Sequence, residues 1–514
     1  MTQPIRLMRG FVTVGFWTLL SRIAGFGRDV MLAAYLGTGP VAEAFLIAYS
    51  LPNTFRRFFA EGAFNMAFVP MFAKKLEGGE DANGFARDAY WMLTAILLVF
   101  TLAGLAAMPW LVLGMAAGFA GDDRFGLAVT FGYITFPYIL FISLTALLSG
   151  MLNAAGRFIE TAAVPILMNL IFIIALWLSH VAGWDVGLTQ AWSVPFAGIA
   201  QLGVIWWAVR RLGFRMAFER PRMTPELWRL GIIMGPALLA GGVVQINTIV
   251  GRQVASFTEG AVAWLSYADR LYQLPLGVVG IAIGVVLLPD LSRRLRAGDG
   301  AGGRDAFNRA AELCLALTVP AAVALMVIPV PLVSVLFQRG AFTELDTVNT
   351  ALAVAVYGAG VPAFVMHKVL QPLFYAREDT RRPFIYALIA LALNAAVAIG
   401  LMPWLGFSAA ALGTTVAGWG MLAQLAWGAR NMGDAARFDT RMRARLGLIL
   451  AAAAIMGAVL WGASMLLAPW LAMPGVRSLA LLGLILLGIA SYFGAGFAIG
   501  AFRWAELRTA VRRG

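Results

Sequence analysis

The sequence predicts an all-α integral membrane protein of about fourteen transmembrane helices: two parallel six-helix repeats around a central cavity, plus two extra C-terminal helices. Three observations carry that prediction. Hydrophobic residues make up 61% of the 514-residue chain and charged residues only 13%, with a mean hydropathy of +0.81. A soluble domain carries about 25% charged residues, and a chain of this length has no interior large enough to hide so much apolar surface, so lipid must be its solvent. Apolar stretches long enough to span a bilayer recur along the whole chain. The two halves also resemble each other at a nearly constant offset.

A span takes about 20 mostly apolar residues. On that rule the first six lie near 11–36, 42–73, 89–117, 127–152, 162–181 and 189–209. The second six lie near 230–256, 261–290, 310–336, 347–375, 384–402 and 408–428, and a final pair near 446–468 and 478–502. Arg6 and Arg9 precede the first apolar stretch, as in a signal peptide. Arg22 and Arg28 interrupt that stretch and no small-x-small site ends it, so it reads as a retained helix.

Basic residues set the orientation. With the N-terminus in the cytoplasm, 29 of the 39 Lys and Arg fall in cytoplasmic segments, and only Arg124, Arg339 and Arg477 fall on the opposite side. Both termini are therefore expected in the cytoplasm, with an even number of spans. The excess of 13 positive charges belongs to this bias and not to nucleic-acid binding.

The repeat shows in paired positions. Pro137 matches Pro362, Arg157 matches Arg382 and Asn169 matches Asn394, all at an offset of 225. Gly27-Arg28 matches Gly251-Arg252, and Leu51-Pro52 matches Leu274-Pro275, at offsets of 224 and 223. Six spans fill one period, so both copies start from the same side, related by an axis along the membrane normal. Residues 1–220 form the N-terminal six-helix bundle, 221–435 the C-terminal bundle and 436–514 the additional pair. Two such bundles are expected to enclose a cavity and to work as a secondary transporter, one half rocking against the other.

Seven bases remain at membrane depth: Arg22, Arg28, Arg56, Arg57, Arg252, Arg270 and Lys368. The acids at similar depth are Asp29, Glu43, Glu61 and Asp269, with Glu259 at a helix end. A central charge costs roughly 2.5–3.5 kcal/mol on insertion scales. Such residues persist by pairing, as Arg28 with Asp29 or Arg270 with Asp269, by snorkelling, as Arg56 and Arg57 near an interface, or by facing a wet cavity. Six of the seven lie on spans 1, 2, 7 and 8, which are expected to line the cavity. Seven bases outnumber four acids, and the surplus argues for an anionic substrate, because Arg binds phosphate and carboxylate bidentately. Between Arg22 and Arg28 stand Gly25 and Gly27. On an unbroken helix the two arginines point about 120° apart. A bend at these glycines would aim both into one cavity; close helix packing is the alternative use of small residues. Asn169 and Asn394 read as interhelical hydrogen-bond partners, and His367, beside Lys368, as a hydrogen-bonded histidine.

The rest of the composition excludes chemistry. One cysteine, Cys314, permits no intrachain disulfide, and two histidines, His180 and His367, make a zinc or iron site improbable. None of Lys74, Lys75 and Lys368 follows a glycine, so the chain has no phosphate-binding loop for ATP. No nucleophile–base set stands out. No cofactor, no metal and no enzymatic activity are expected.

Two segments carry a resemblance: SRIAGFGRD at 21–29 and LPNTFRRFFAEGAFNMAFVP at 51–70. With YADRLYQLP at 267–275 and FPYILFISL at 136–144, they resemble the signature of the MurJ (MviN) family of lipid II flippases. That family belongs to a larger exporter superfamily that also holds the multidrug antiporters. The similarity runs along nearly the whole chain. It implies fourteen helices that carry lipid II, an undecaprenyl-diphosphate-linked disaccharide peptide, from the cytoplasmic to the periplasmic leaflet. The family's functional arginines fall on Arg22, Arg28, Arg56 and Arg270, with Asp29, Glu43, Asp269, Arg252 and Lys368 in supporting or coupling roles. Its acid in the second helix, usually Asp, is Glu43 here, and a glutamate frequent in the eighth helix is Gln273, which puts in doubt an obligatory charge there. The groove formed with the last two helices is thought to take the lipid tail. Membrane lipids are the other expected partners. The alternatives are a flippase for another polyprenol-diphosphate glycan, an enzyme using polyprenol-phosphate donors, and a cation or drug antiporter; net acid in the cavity would be expected of the last.

Overall fold

The computed structural model describes residues 3–56 and 63–502. Among them every regular element is a helix. By packing, the chain forms two compact units, one of residues 1–263 with 339–342, the other of 264–338 with 343–514.

The first unit holds α1 (Gln3–Leu36), α2 (Pro40–Arg56), α3 (Ala63–Glu77), α4 (Ala82–Ala106) and α5 (Met108–Met115). It continues with α6 (Asp123–Thr135), α7 (Tyr138–Ala154), α8 (Phe158–Ala182), α9 (Val186–Arg211) and α10 (Pro225–Ser256). Here α1 lies along α8, α8 and α7 along α9, and α2 along α6. By sequence α10 opens the second repeat, yet it packs on α3 and α5 in the first unit. Gln253 and Ser256 explain its anchorage. The Gln253 amide donates to the carbonyls of Leu113 and Gly114 and accepts from the Ala117 N–H, and Ser256 Oγ accepts from the Gly118 N–H at 2.9 Å. A Cβ on Gly118 would lie 2.4 Å from the Ser256 backbone, so only glycine allows that approach.

The second unit holds α11 (Ala261–Arg296) beyond its first turn, then α12 (Gly300–Val327), α13 (Pro329–Phe337), α14 (Glu344–Tyr375), α15 (Arg381–Leu405) and α16 (Ser408–Ala429). It ends with α17 (Thr440–Leu466), α18 (Ala468–Ala472) and α19 (Arg477–Ala498). Tyr272 of α11 meets Tyr357 and Phe364 of α14, with ring centroids 4.8 and 5.7 Å apart. The last long helices attach in order, α17 on α12 and α19 on α17.

Nine helices among the described residues are long and apolar enough to cross a membrane. Their outward faces agree with a lipid solvent. On α15 only 17% of the most apolar window is buried, and Ile385, Leu388, Ile389 and Ile399 are exposed. In water such a surface would drive aggregation; in lipid it is the favourable face. Some exposed tryptophans stand near helix ends, as interfacial aromatics do. In the first unit Trp184 stands past the end of α8, and Trp207, with Arg211 stacked 3.7 Å from its ring centroid, near the opposite end of α9.

Several expected spans are broken at prolines, and the second runs across residues 57–62, which lie outside the described ones. The third span ends α4 at Ala106 and resumes as α5, with Pro109 in its first turn. The ninth breaks likewise between α12 and α13 at Pro329, at a repeat-equivalent place, and the thirteenth between α17 and α18. Proline supplies no N–H and fits a first helical turn, where that donor has no partner anyway.

Where proline lies inside a spanning helix it strips the carbonyl four residues earlier of its donor, a cost that lipid cannot relieve. Neighbouring helices relieve it. Pro52 frees the Ala48 carbonyl, which accepts from the buried Thr135 hydroxyl of α6 at 3.0 Å. Pro320 of α12 frees the Ala316 carbonyl, which accepts from the Tyr492 hydroxyl of α19 at 2.7 Å. Beside that bond an apolar groove of about 270 Å³ runs among α12, α13, α17 and α19, lined by residues such as Leu317, Ala321, Leu332, Leu460 and Ile489.

Candidate functional site

Arg28 is buried on α1. Its Nε and Nη2 donate to Asp29 Oδ1 at 3.0 and 2.7 Å, and its Nη1 donates to Asn169 Oδ1 of α8 at 3.0 Å. The guanidinium carbon lies 5.5 Å from the ring centroid of Phe172, which meets Phe45 and Tyr49 of α2 edge-on. Arg28 thus sits in an aromatic setting, where its charge gains from the ring faces as well as from Asp29. The pairing of Arg28 with Asp29 is present, and Asn169 does bond between helices. Among the other positions of the first unit, Arg22 is exposed, six residues before Arg28 on α1, Arg56 is half-buried in the last turn of α2, and Arg252 is half-buried on α10. Helix α1 runs without interruption through Gly25 and Gly27, and Gly25 faces the Asn169 side chain.

Glu43 stands apart from these arginines. It is fully buried in the first turn of α2. One carboxylate oxygen accepts from Arg124 Nη1 at 3.0 Å and the other from the Val262 N–H at 2.9 Å. Arg124 is itself held by Asp122, with its guanidinium 4.4 Å from the Phe119 ring centroid. The carboxylate therefore sits at the amino ends of two helices, α2 and α11, where exposed N–H groups favour negative charge. Arg124 reads in the sequence as a loop residue. The Asp122-Asp123-Arg124 corner is the signal that points to a charge network, and only packing shows that Glu43 completes it.

In the second unit Arg270 is exposed on α11, and Asp269 is half-buried there and accepts from the Gln273 amide. Lys368 is exposed on α14, and the neighbouring His367 bonds through Nε2 to the Gly418 carbonyl at 2.7 Å. Trp264 Nε1 donates to Asp346 Oδ1 at 2.9 Å, tying the start of α11 to the start of α14. Arg57 and Glu61 lie outside the described residues.

The sequence profile of the family described as "Lipid II flippase MurJ" matches residues 32–480. The chain belongs to that family. It is 45% identical to the "Probable lipid II flippase MurJ" of Rhizobium meliloti (strain 1021), over 99% of this chain and 97% of the relative. It is 35% identical to the "Lipid II flippase MurJ" of Burkholderia cenocepacia, over 74% and 75%. A solved structure titled "Lipid II flippase MurJ, inward closed conformation" aligns with a TM-score of 0.80 at 25% identity, covering 95% of this chain and 98% of that one. A multidrug resistance MATE family transporter in an inward-facing conformation aligns at 0.68 with 11% identity over 81% and 95%, a likeness of fold alone. The MurJ match runs from the end of α1 through α17 into the first turn of α19.

Proposed function

We propose that this chain flips lipid II from the cytoplasmic to the periplasmic leaflet of the bacterial inner membrane by alternating access, with both termini cytoplasmic. The observation that carries the reading is the full-length similarity to relatives named as lipid II flippases. Each site residue is assigned the part of the substrate that its chemistry suits. Arg22, Arg28, Arg56 and Arg270 take the diphosphate and peptide carboxylates, for which guanidinium forks are suited. Asp29 and Asp269 orient neighbouring groups, Arg252 and Lys368 add cationic field, and Glu43 holds helix ends. The polyprenyl tail stays in lipid and is received by the apolar groove among α12, α13, α17 and α19, whose lining offers dispersion contacts and no polar demand. Gly25 and Gly27 supply the place where α1 bends. A transporter needs no covalent chemistry for this task, and none is assigned.

The test is depletion of the native flippase in cells that depend on it, with this chain supplied in trans. Lipid II is expected to accumulate on the inner leaflet on depletion and to return to the periplasmic leaflet with this chain. Failure to restore periplasmic lipid II at normal expression would overturn the proposal.

A further inference from the structure

Asn169 reaches α1 with both ends of its amide. Oδ1 accepts from Arg28 Nη1 at 3.0 Å, and Nδ2 donates to the Ser21 carbonyl at 3.1 Å. The orientation is forced, since a guanidinium only donates and a carbonyl only accepts. The two anchors stand about two helical turns apart, and the stretch between them contains Gly25 and Gly27. A Cβ on Gly25 would lie 3.4 Å from Asn169 Nδ2, so the amide lies directly over that glycine. Each glycine costs a helix interior about 1 kcal/mol relative to alanine, which makes this stretch the part of α1 most ready to bend. Asn169 bridges it like a clasp.

The clasp also bears on Arg28. Asp29 holds the Nε–Nη2 edge by an ion pair, whereas Asn169 holds Nη1 through an uncharged amide oxygen. An arriving anion displaces the uncharged partner first, because the guanidinium gains more Coulomb energy from a negatively charged oxygen than from an amide oxygen. We propose that Asn169 is a positioning residue: a displaceable neutral clasp that keeps α1 straight until an anionic head group takes Arg28 Nη1 from it, which frees α1 to bend at Gly25 and Gly27. The proposal rests on the head-group reading above.

Purified full-length protein in nanodiscs, titrated with lipid II, tests it alongside hydrogen–deuterium exchange of α1. In the wild type, lipid II is expected to raise exchange over residues 21–28. Asn169→Ala removes the competitor: lipid II binds at least as tightly, and exchange over 21–28 is high before it is added. Asn169→Asp turns the neutral clasp into a charged one: lipid II binds about tenfold more weakly and no longer raises exchange. A purely structural asparagine would not give opposite effects of Ala and Asp on affinity. Arg28→Ala separates the two readings. If it loses binding while Asn169→Asp binds as the wild type does, the clasp alone is wrong. If Arg28→Ala binds normally, the head-group reading falls and the clasp with it. Unchanged exchange in Asn169→Ala also overturns the clasp, even if the Asp variant fails to fold.

Discussion

Arg28 and Arg270 share a proposed role and differ in surroundings: the first is buried against Asp29 and Asn169, the second exposed on α11. Replacing either by Ala is expected to abolish complementation of a depleted strain while the protein still inserts, and Lys is expected to rescue partly, since a point charge replaces the fork. Normal growth with both Ala variants at wild-type expression would show that the arginines do not bind the head group. Glu43 gives a prediction about stability. Glu43→Gln leaves Arg124 buried with Asp122 as its acid partner. Removing one member of a buried pair costs roughly 3–5 kcal/mol, and Asp122 should bring the loss to the low end. Thermal unfolding in detergent measures it; a loss below about 1 kcal/mol, the worth of an exposed pair, would contradict the buried assignment.

Between helices, the carbonyls freed by proline make the sharpest prediction. Tyr492→Phe removes the donor that serves the Ala316 carbonyl and is expected to destabilise by about 1–3 kcal/mol. Pro320→Ala supplies an N–H for the same carbonyl, so the double variant Pro320→Ala with Tyr492→Phe should recover most of the loss. Additive effects of the two changes would mean that the hydroxyl and the proline are unrelated. A second prediction concerns the joint of α12 and α17. Asp439 caps α17 through the Met442 N–H at 2.6 Å and pairs with Arg309. Burial works to raise its carboxyl, but the Met442 amide and the Arg309 guanidinium outweigh it and hold it below the usual carboxylate range. A depressed folded value means stability that is complete above the unfolded value, about 3.9, and lost as pH falls through the folded one. Asp439→Asn should therefore melt below the wild type at neutral pH, with the difference closing as the pH is taken below about 3.9. A difference that stays constant on acidification would show that the charge contributes nothing.

For the molecule as a whole, alternating access predicts access from both sides of the membrane at one position. Ile23 on α1 and Leu274 on α11 are exposed neighbours of Arg22 and Arg270, and the native thiol Cys314 is buried. Single cysteines at Ile23 and Leu274 should react with a membrane-impermeant reagent added from either side. Lipid II should shift the two rates in opposite directions, because a ligand moves an equilibrium toward the state it binds better. Labelling confined to one side under every condition would rule out alternation at these positions.

The all-helical, membrane-spanning character and the family were legible in the sequence, because hydropathy and a bilayer's thickness act on local stretches and the motifs at 21–29 and 51–70 are contiguous. The pairing of Arg28 with Asp29 was legible for the same reason: the two are neighbours. Tertiary structure decided what depends on residues far apart in the chain. Arg124, in the first turn of α6, had to be brought to Glu43, 81 residues away, before either could be seen as half of a buried pair. Asn169 had to be laid over Gly25, and Tyr492 over the carbonyl that Pro320 frees. Likewise α10 opens the second repeat by sequence, but Gln253 and Ser256 fasten it to the first unit. Lipid satisfies no polar group, so a buried donor or acceptor that its own helix leaves open needs a partner on another helix. Which partner it finds is a property of the packing, and no local pattern encodes it.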